Sequence, residues 1–514
     1  MKRLMTILVV TLGLSGFAQW PNFNRVQLNI DQSPPFDYWA NAGFKSVFPI
    51  DRSGIFYDGY LLFGQGVLRS PSVTDYHTQV FVSSVNVEGD LIWSQQLYSD
   101  TTQFHSTWFN SYYPNGMVLN HAGLVTTTLT TFDSAIPEPW LAGSAYLAFF
   151  SEEGQMVEQT EIQLTPSHAY GLYGVIEDLS DSTYVVYGAR RDSTSWANNE
   201  WPDAVMIKFN ELGELEWERV YSGTFTVRQV VKAIDGGFWI SAYELLEQGC
   251  LFGAGEYNGQ YVLIKTSEFG IEQSRIVMGG PCGGESGELI ELSEDIVLLG
   301  GRFPFEEQNE GYDYHGYFFT TILEQTNEDG PLQELDGLRK TYMITEAYSL
   351  LSGIEQFQDG YLLYGSSQSE EFVVNQPQRV GFLLKLDENR DSTWARFYRY
   401  YQTYASGWGY EEHWVWDAEL TPDGGVICCG EVEQGPNGPH PFLLTPWLFK
   451  TDSLGCIEPG CQFVHVEEIT IGLEQSMSVF RIPPLKHVIF AMIHCAFCGH
   501  ENKNKLGRAF VGLA

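Results

Sequence analysis

The side chains best suited to chemistry are aromatic rings set among carboxylates in stretches too polar to be strands. TSWANNEWPD (Thr194 to Asp203) carries Trp196 and Trp201, and EEQNEGYDYHG (Glu306 to Gly316) carries Tyr312 and Tyr314 around Asp313. The richest, YRYYQTYASGWGYEEHWVW (Tyr398 to Trp416), carries Trp408, Tyr410 and Trp414 beside Glu411 and Glu412. A flat apolar ring next to a hydrogen-bond acceptor is what a sugar needs, so these aromatics are the candidate ligand-binding residues. Two carboxylates facing each other can act as acid and base in glycan cleavage, which makes Asp313, Glu411 and Glu412 the alternative acid/base set. The plainer reading of any single ring is that it folds back and packs one loop against another.

Other chemistries find little support. There is no Gly-x-Ser-x-Gly elbow, no His-Glu-x-x-His pair and no phosphate-binding loop. The run His494-Cys495-Ala496-Phe497-Cys498-Gly499-His500, with His487 upstream, holds enough nitrogen and sulfur for zinc, but structural zinc draws on two well-spaced ligand pairs and here they crowd together. Asp387-Glu388-Asn389-Arg390-Asp391 lacks the terminal bidentate glutamate of a calcium loop and reads as a hairpin turn. No metal and no cofactor are expected.

The elements that would position the aromatics repeat. Asp58-Gly59 precedes YLLFG, His121-Ala122-Gly123 precedes LVTTTL, Asp181-Ser182 precedes TYVVYG, and Asp235-Gly236-Gly237 precedes FWISA. The series continues at Asp295 with IVLLGG, Asp359-Gly360 with YLLYG, and Asp423-Gly424-Gly425 with VICCG, in steps of 54 to 64 residues. Each is followed by a second hairpin such as AVMIKFNELGELEW, and preceded by a further strand, for example Val227 to Ala233 or Trp414 to Leu420. Four strands per unit at this period predict an all-β fold, a seven-bladed β-propeller of four-stranded antiparallel blades, with a row of sandwich domains as the alternative. The fifth unit is the loosest match.

The last unit lacks an outer strand, and WPNFNRVQLNI (Trp20 to Ile30) is an orphan strand near the start. The expectation is that this N-terminal strand closes the last blade and removes an exposed edge. In such a meander the short turns share one face and the long connections, which hold the aromatics, share the other.

Residues 1–18 read as a signal peptide: Lys2 and Arg3, the apolar run Leu4 to Leu14, then Gly16-Phe17-Ala18. That run is shorter than the roughly 20 residues needed to span a bilayer. The chain is therefore expected to be exported, secreted or at the cell surface, with no membrane insertion. Its formal charge of -37 repels phosphate backbones, so nucleic acid is a poor partner. Among the eight cysteines, disulfides are expected for Cys456 with Cys461 and for Cys250 with Cys282, while Cys428 and Cys429 face opposite ways in one strand and read as buried thiols.

The leader, the Asp-Gly-apolar-Gly strands, the Lys-x-Asp/Asn-x-x-Gly hairpins and the closing GCIEPGC together resemble the secreted repeat propellers of Bacteroidetes. The resemblance covers residues 23–461 and implies a C-terminal sorting region read by type IX secretion machinery. Residues 19–462 would then be the propeller and 463–514 a tail. Gly472-Leu473-Glu474-Gln475 looks like the start of a sorting domain, but Arg481-Ile482-Pro483-Pro484 replaces the Pro-Asn-Pro turn, and the rest is basic and cysteine-bearing. A degenerate domain and a shifted reading frame would both produce this. The functional expectation is a non-enzymatic binding module for glycan or protein; the alternatives are a glycan-cleaving enzyme and a structural module of a surface assembly.

Overall fold

The structure is a computed structural model that describes residues 22–26, 38–50, 59–69, 76–97, 104–105, 117–119, 125–132, 142–151, 155–165, 168–178, 183–192, 202–210, 212–245, 259–278, 288–293, 296–302, 317–325, 330–335, 339–343, 349–357, 359–369, 378–400, 412–433 and 444–458, with strands of the tail between 467 and 512. Among these residues there is no helix, and nearly all pairing is antiparallel.

Seven four-stranded units follow in order. Unit one is Tyr38–Ile50, Gly59–Arg69, Tyr76–Val85 and Leu91–Leu97. In unit two the pieces Phe104–His105 and Met117–Leu119 both pair with Val125–Phe132, which is followed by Ala142–Phe150 and Met156–Ile162. Unit three is His168–Asp178, Thr183–Asp192, Asp203–Phe209 and Leu215–Tyr221; unit four is Thr224–Lys232, Phe238–Leu245, Gly259–Thr266 and Glu272–Met278. Unit five has Leu289–Ser293, Ile296–Arg302 and Tyr317–Gln325, and its outer edge is split between Leu332–Glu334 and Lys340–Met343. Unit six is Ser349–Phe357, Gly360–Ser369, Gln378–Asp387 and Ser392–Tyr398. Unit seven has Glu412–Leu420, Val426–Glu433 and Leu444–Thr451, and its fourth strand is Phe23–Val26, antiparallel to the third with Phe23 opposite Lys450 and Val26 opposite Trp447.

The middle strands are buried on both faces, which is why VVY and LLF runs replace the alternation of a half-exposed strand. Their burial comes from packing unit on unit. Each apolar cluster joins two units: Leu61 and Phe63 of unit one meet Ala148 and Phe150 of unit two, and Phe149 meets Tyr184 of unit three. Trp217 meets Phe238 across units three and four, Trp239 and Leu263 meet Leu299 across four and five, and Phe318 stacks on Phe382 across five and six. Tyr398 stacks on Phe449 across six and seven at 4.6 Å, and the remaining cluster sets Phe23, Ile427 and Leu448 of unit seven against Phe44, Tyr60 and Phe81 of unit one. Cys428 and Cys429 are free, buried, and point into the two clusters on opposite sides of unit seven.

The turns that follow the third strands share a pattern. In Asn86 to Asp90 and Asp452 to Cys456 the leading side-chain oxygen accepts two backbone N–H groups inside the turn. The fourth position is left-handed, φ 80° at Gly89 and 72° at Gly455. A Cβ on Gly455 would stand 2.8 Å from the ring of Trp394 on the neighbouring outer strand, and Gly89 lies in the same way against Phe23. Glycine is required there both by conformation and by close approach.

Cys456 is buried and disulfide-bonded. Its expected partner Cys461, and the expected pair Cys250 and Cys282, lie outside the described residues. The tail carries a separate antiparallel sheet of Glu467–Thr470, Gln475–Arg481, Ile489–Cys495 and Ala509–Gly512.

Candidate functional site

Two places gather polar side chains from three or more units. The first lies where units six, seven and one meet, at the strand ends from which the connections 370–377, 401–411 and 434–443 depart. There Glu412 pairs in register with Glu433 and, across units, with Arg379, whose guanidinium sits 3.4 Å from the Glu412 carboxylate. Arg379 also lies 3.5 Å from the ring centre of Trp414. Trp414 and Trp416 stack at 5.3 Å with their planes 6° apart, and Lys45 of unit one stands 4.2 Å from the Trp416 ring centre. The result is a row of cation, indole, indole and cation, in which Lys45 is held by Glu431 at 3.1 Å.

Two groups set the electrostatics of this corner. Burial lowers the Lys45 ammonium from its ordinary value, with Glu431 opposing, and burial together with Glu412 and Glu431 raises the Glu433 carboxyl. His413 accepts a hydrogen bond at Nε2 from the Tyr400 N–H at 3.0 Å and donates from Nδ1 to the Arg379 carbonyl at 3.1 Å. Burial pushes its pKa down to about 4, so the ring is neutral and fixed in one tautomer.

The second place is the buried centre. Asp417 of unit seven accepts from the Val47 N–H of unit one at 2.9 Å, from the Ala418 N–H at 2.9 Å and from the Tyr364 hydroxyl of unit six at 3.4 Å. Glu288, 3% exposed, leads into unit five and accepts from the Ile354 N–H of unit six at 3.3 Å, while its other oxygen has no hydrogen-bond partner among the described residues. Ser352 donates to the Val415 carbonyl, and Arg228 of unit four donates to the Leu351 carbonyl at 3.3 Å. Burial raises Glu288 to about 8 against the pull of Arg228, and raises Asp417 to about 7 against its own hydrogen bonds. Glu355 and Glu419, half-buried on the inner strands of units six and seven, are raised by burial and then by each other's neighbourhood of carboxylates. Among the described residues no group of three acidic, histidine or cysteine side chains is arranged to hold a metal ion.

Of the candidate ligand-binding and acid/base residues, Trp414 and Glu412 are the ones described, and both are in the first place. Trp414 is engaged inside the protein by Arg379 and Trp416, and Glu412 is ion-paired. Trp196, Trp201, Tyr312, Tyr314, Trp408, Tyr410, Asp313 and Glu411 lie outside the described residues. Sequence reasoning missed the whole centre. A signal existed for two of its members: Glu355 and Glu419, like Glu177 and Glu291, stand four residues before the turn residue of their unit, Asp359 and Asp423.

These features define an all-β protein of antiparallel four-stranded sheets. No protein-family model matches the chain, and comparison with curated proteins finds no match. Among solved structures it is similar to a protein of unknown function from Bacteroides caccae, with 11% identity, 62% of this chain and 89% of that one covered, and a TM-score of 0.32. It is also similar to the extracellular domains 1-2 of Drosophila Semaphorin 1a, at 8% identity, 81% and 87% coverage and a TM-score of 0.38. A GH32 beta-fructofuranosidase from Bombyx mori shares 11% identity over 88% of this chain and 95% of its own, with a TM-score of 0.30. No helix among the described residues is long and apolar enough to cross a membrane.

Proposed function

We propose that the seven units close into a β-propeller and that the protein is an exported, non-enzymatic binding module. It takes a glycan or a protein through the face from which connections 370–377, 401–411 and 434–443 emerge. The closure reading rests on the Phe23–Val26 strand: it completes unit seven while Phe23 packs into the apolar cluster of unit one. Export follows from the signal-peptide pattern of residues 1–18, placing the protein outside the cell or on its surface, with secretion machinery acting on the tail.

The observation that carries the binding reading is the corner of Arg379, Trp414, Trp416 and Lys45. Its aromatic and charged groups hold one another in place near the strand ends that lead into the long connections, and function tends to reside in such connections. Glycan cleavage ranks second because the carboxyls raised to about 7 and 8, Asp417 and Glu288, are 8% and 3% exposed and accept from backbone N–H groups. A glycan array and a panel of surface proteins, probed with the mature protein and with Trp408→Ala and Lys45→Met, test the proposal. Binding that both changes weaken supports it; no binding to any glycan removes the sugar arm, and release of cleaved product makes the protein an enzyme.

A further inference from the structure

The inner strands bring acidic groups from distant parts of the chain to one place, and two of those acids bond across boundaries between units. Asp417 ties unit seven to units one and six, Glu288 ties unit five to unit six, and Glu355 and Glu419 stand beside them on adjoining inner strands. The Glu288 oxygen and the Tyr364 hydroxyl both occupy the space where a side chain at Gly353 would begin, so the centre closes over a glycine that leaves room for them.

We propose that Glu288, Glu355, Asp417 and Glu419 form a proton-operated latch. With its carboxyls protonated it holds units five, six, seven and one together, and with them ionised it loosens their inner strands. Glu288 and Asp417 both lie against the Tyr364 hydroxyl side of the centre, and carboxylates gathered there repel one another when ionised, whereas the neutral acids can share hydrogen bonds.

The surroundings do little to relieve that repulsion. Arg228 of unit four is the cation that acts on Glu288, and its guanidinium is also bonded to the Leu351 carbonyl. Lys45 of unit one is committed to Glu431. The other facing groups are the phenols of Tyr187, Tyr261 and Tyr364 and the thiols of Cys428 and Cys429, all held neutral by burial. For an acid whose folded pKa is raised, the stabilisation is complete below the unfolded value and is lost as pH climbs through the folded one. Directions at all four carboxyls agree, and Asp417 at about 7 and Glu288 at about 8 put the loss between the ordinary carboxyl value of about 4 and about pH 8, with a plateau above.

Hydrogen exchange on the full chain from pH 5 to 9.5, corrected for intrinsic rates, tests the latch. In the wild type, segments 44–50, 349–357 and 412–420 are expected to lose protection by roughly tenfold per pH unit while one carboxyl ionises, with segment 215–221 of unit three unchanged. Glu288→Gln is expected to remove most of that dependence. If that variant does not fold, Glu355→Gln with Glu419→Gln, both half-buried positions, is expected to reduce it instead. Equal loss in all segments, or a pH dependence that survives in a folded variant, overturns the proposal.

Discussion

The hydroxyl of Tyr342, on the outer edge of unit five, donates a 2.7 Å hydrogen bond to the carbonyl of Arg390, which holds a left-handed backbone at φ 63° in the hairpin of unit six. Units one and seven have glycine at this place, lying against Phe23 and Trp394. Here the neighbouring strand offers Tyr342 in place of a bare ring face, its hydroxyl also bonded to Thr320 at 2.9 Å. Arg390 reaches across as well, donating to the Thr320 carbonyl at 3.4 Å, and Lys340 meets Asp391 at 2.6 Å. A side chain that bridges two units offsets a backbone conformation that L-residues avoid.

Replacing Arg390 separates the two effects. Arg390→Ala keeps the left-handed backbone and loses the bridge, and is expected to lower stability by about 1–2 kcal/mol. Arg390→Gly loses the same bridge but relieves the backbone, and should be about 1 kcal/mol less damaging than alanine. Urea unfolding of both variants measures the difference. Equal losses would mean that the φ of Arg390 carries no strain.

Phe23 is the test of closure. It is 4% exposed, 6.2 Å edge-on from Tyr60, and belongs to a strand separated from its partner by most of the chain. Phe23→Ala is expected to cost about 3–5 kcal/mol, as for a buried aromatic in a core. Deleting residues 20–30 should cost more, since the Leu444–Thr451 edge loses its ladder as well as its packing. Thermal melting within a few degrees of the wild type in either case would remove the ring-closure reading.

The strands were legible in the sequence because their turns are marked. Asp359-Gly360 and the GELEW and DSTW hairpins fix where each strand starts, and Val227 to Ala233 was expected where Thr224–Lys232 is found. Trp20 to Ile30 could be recognised as an orphan strand because unit seven visibly lacked one. The centre was illegible for the opposite reason. Glu288 and Asp417 lie more than a hundred residues apart in the chain, outside the repeated turn pattern, and only the stacking of units brings them together. Arg379 was passed over because its partners, Trp414 and Glu412, belong to the next unit.

His413 should make the protein acid-sensitive. Its folded pKa, lowered to about 4 by burial, lies below the ordinary value of 6.5, so the stability it contributes is full above that value and is lost as pH falls toward 4. A depression of this size is worth on the order of 3 kcal/mol at the acid end. His413→Gln cannot take up the proton, and its stability curve between pH 7 and 4 should be flatter than that of the wild type. Parallel curves would show that the imidazole is not the group being charged.

One ion pair recurs at different depths, and depth should decide its worth. Lys450 of unit seven and Lys385 of unit six each meet the aspartate of their own first turn, Asp423 at 2.8 Å and Asp359 at 2.9 Å. The Lys450 and Asp423 side chains are 0% and 4% exposed, whereas Asp359 is 69% exposed and water can replace it. Removing one partner of the enclosed pair strands a buried charge, so Asp423→Ala is expected to lose about 3–5 kcal/mol. Asp359→Ala should lose less than about 1 kcal/mol, as for a solvent-facing pair. Urea unfolding at low and high salt checks both. Added salt should weaken the wild-type contribution of Asp359 and leave that of Asp423 nearly unchanged. Similar losses for the two substitutions would mean that the pair acts through turn geometry, which Asp423 serves by accepting from the Thr421 hydroxyl and the Gly425 N–H, and not through buried charge.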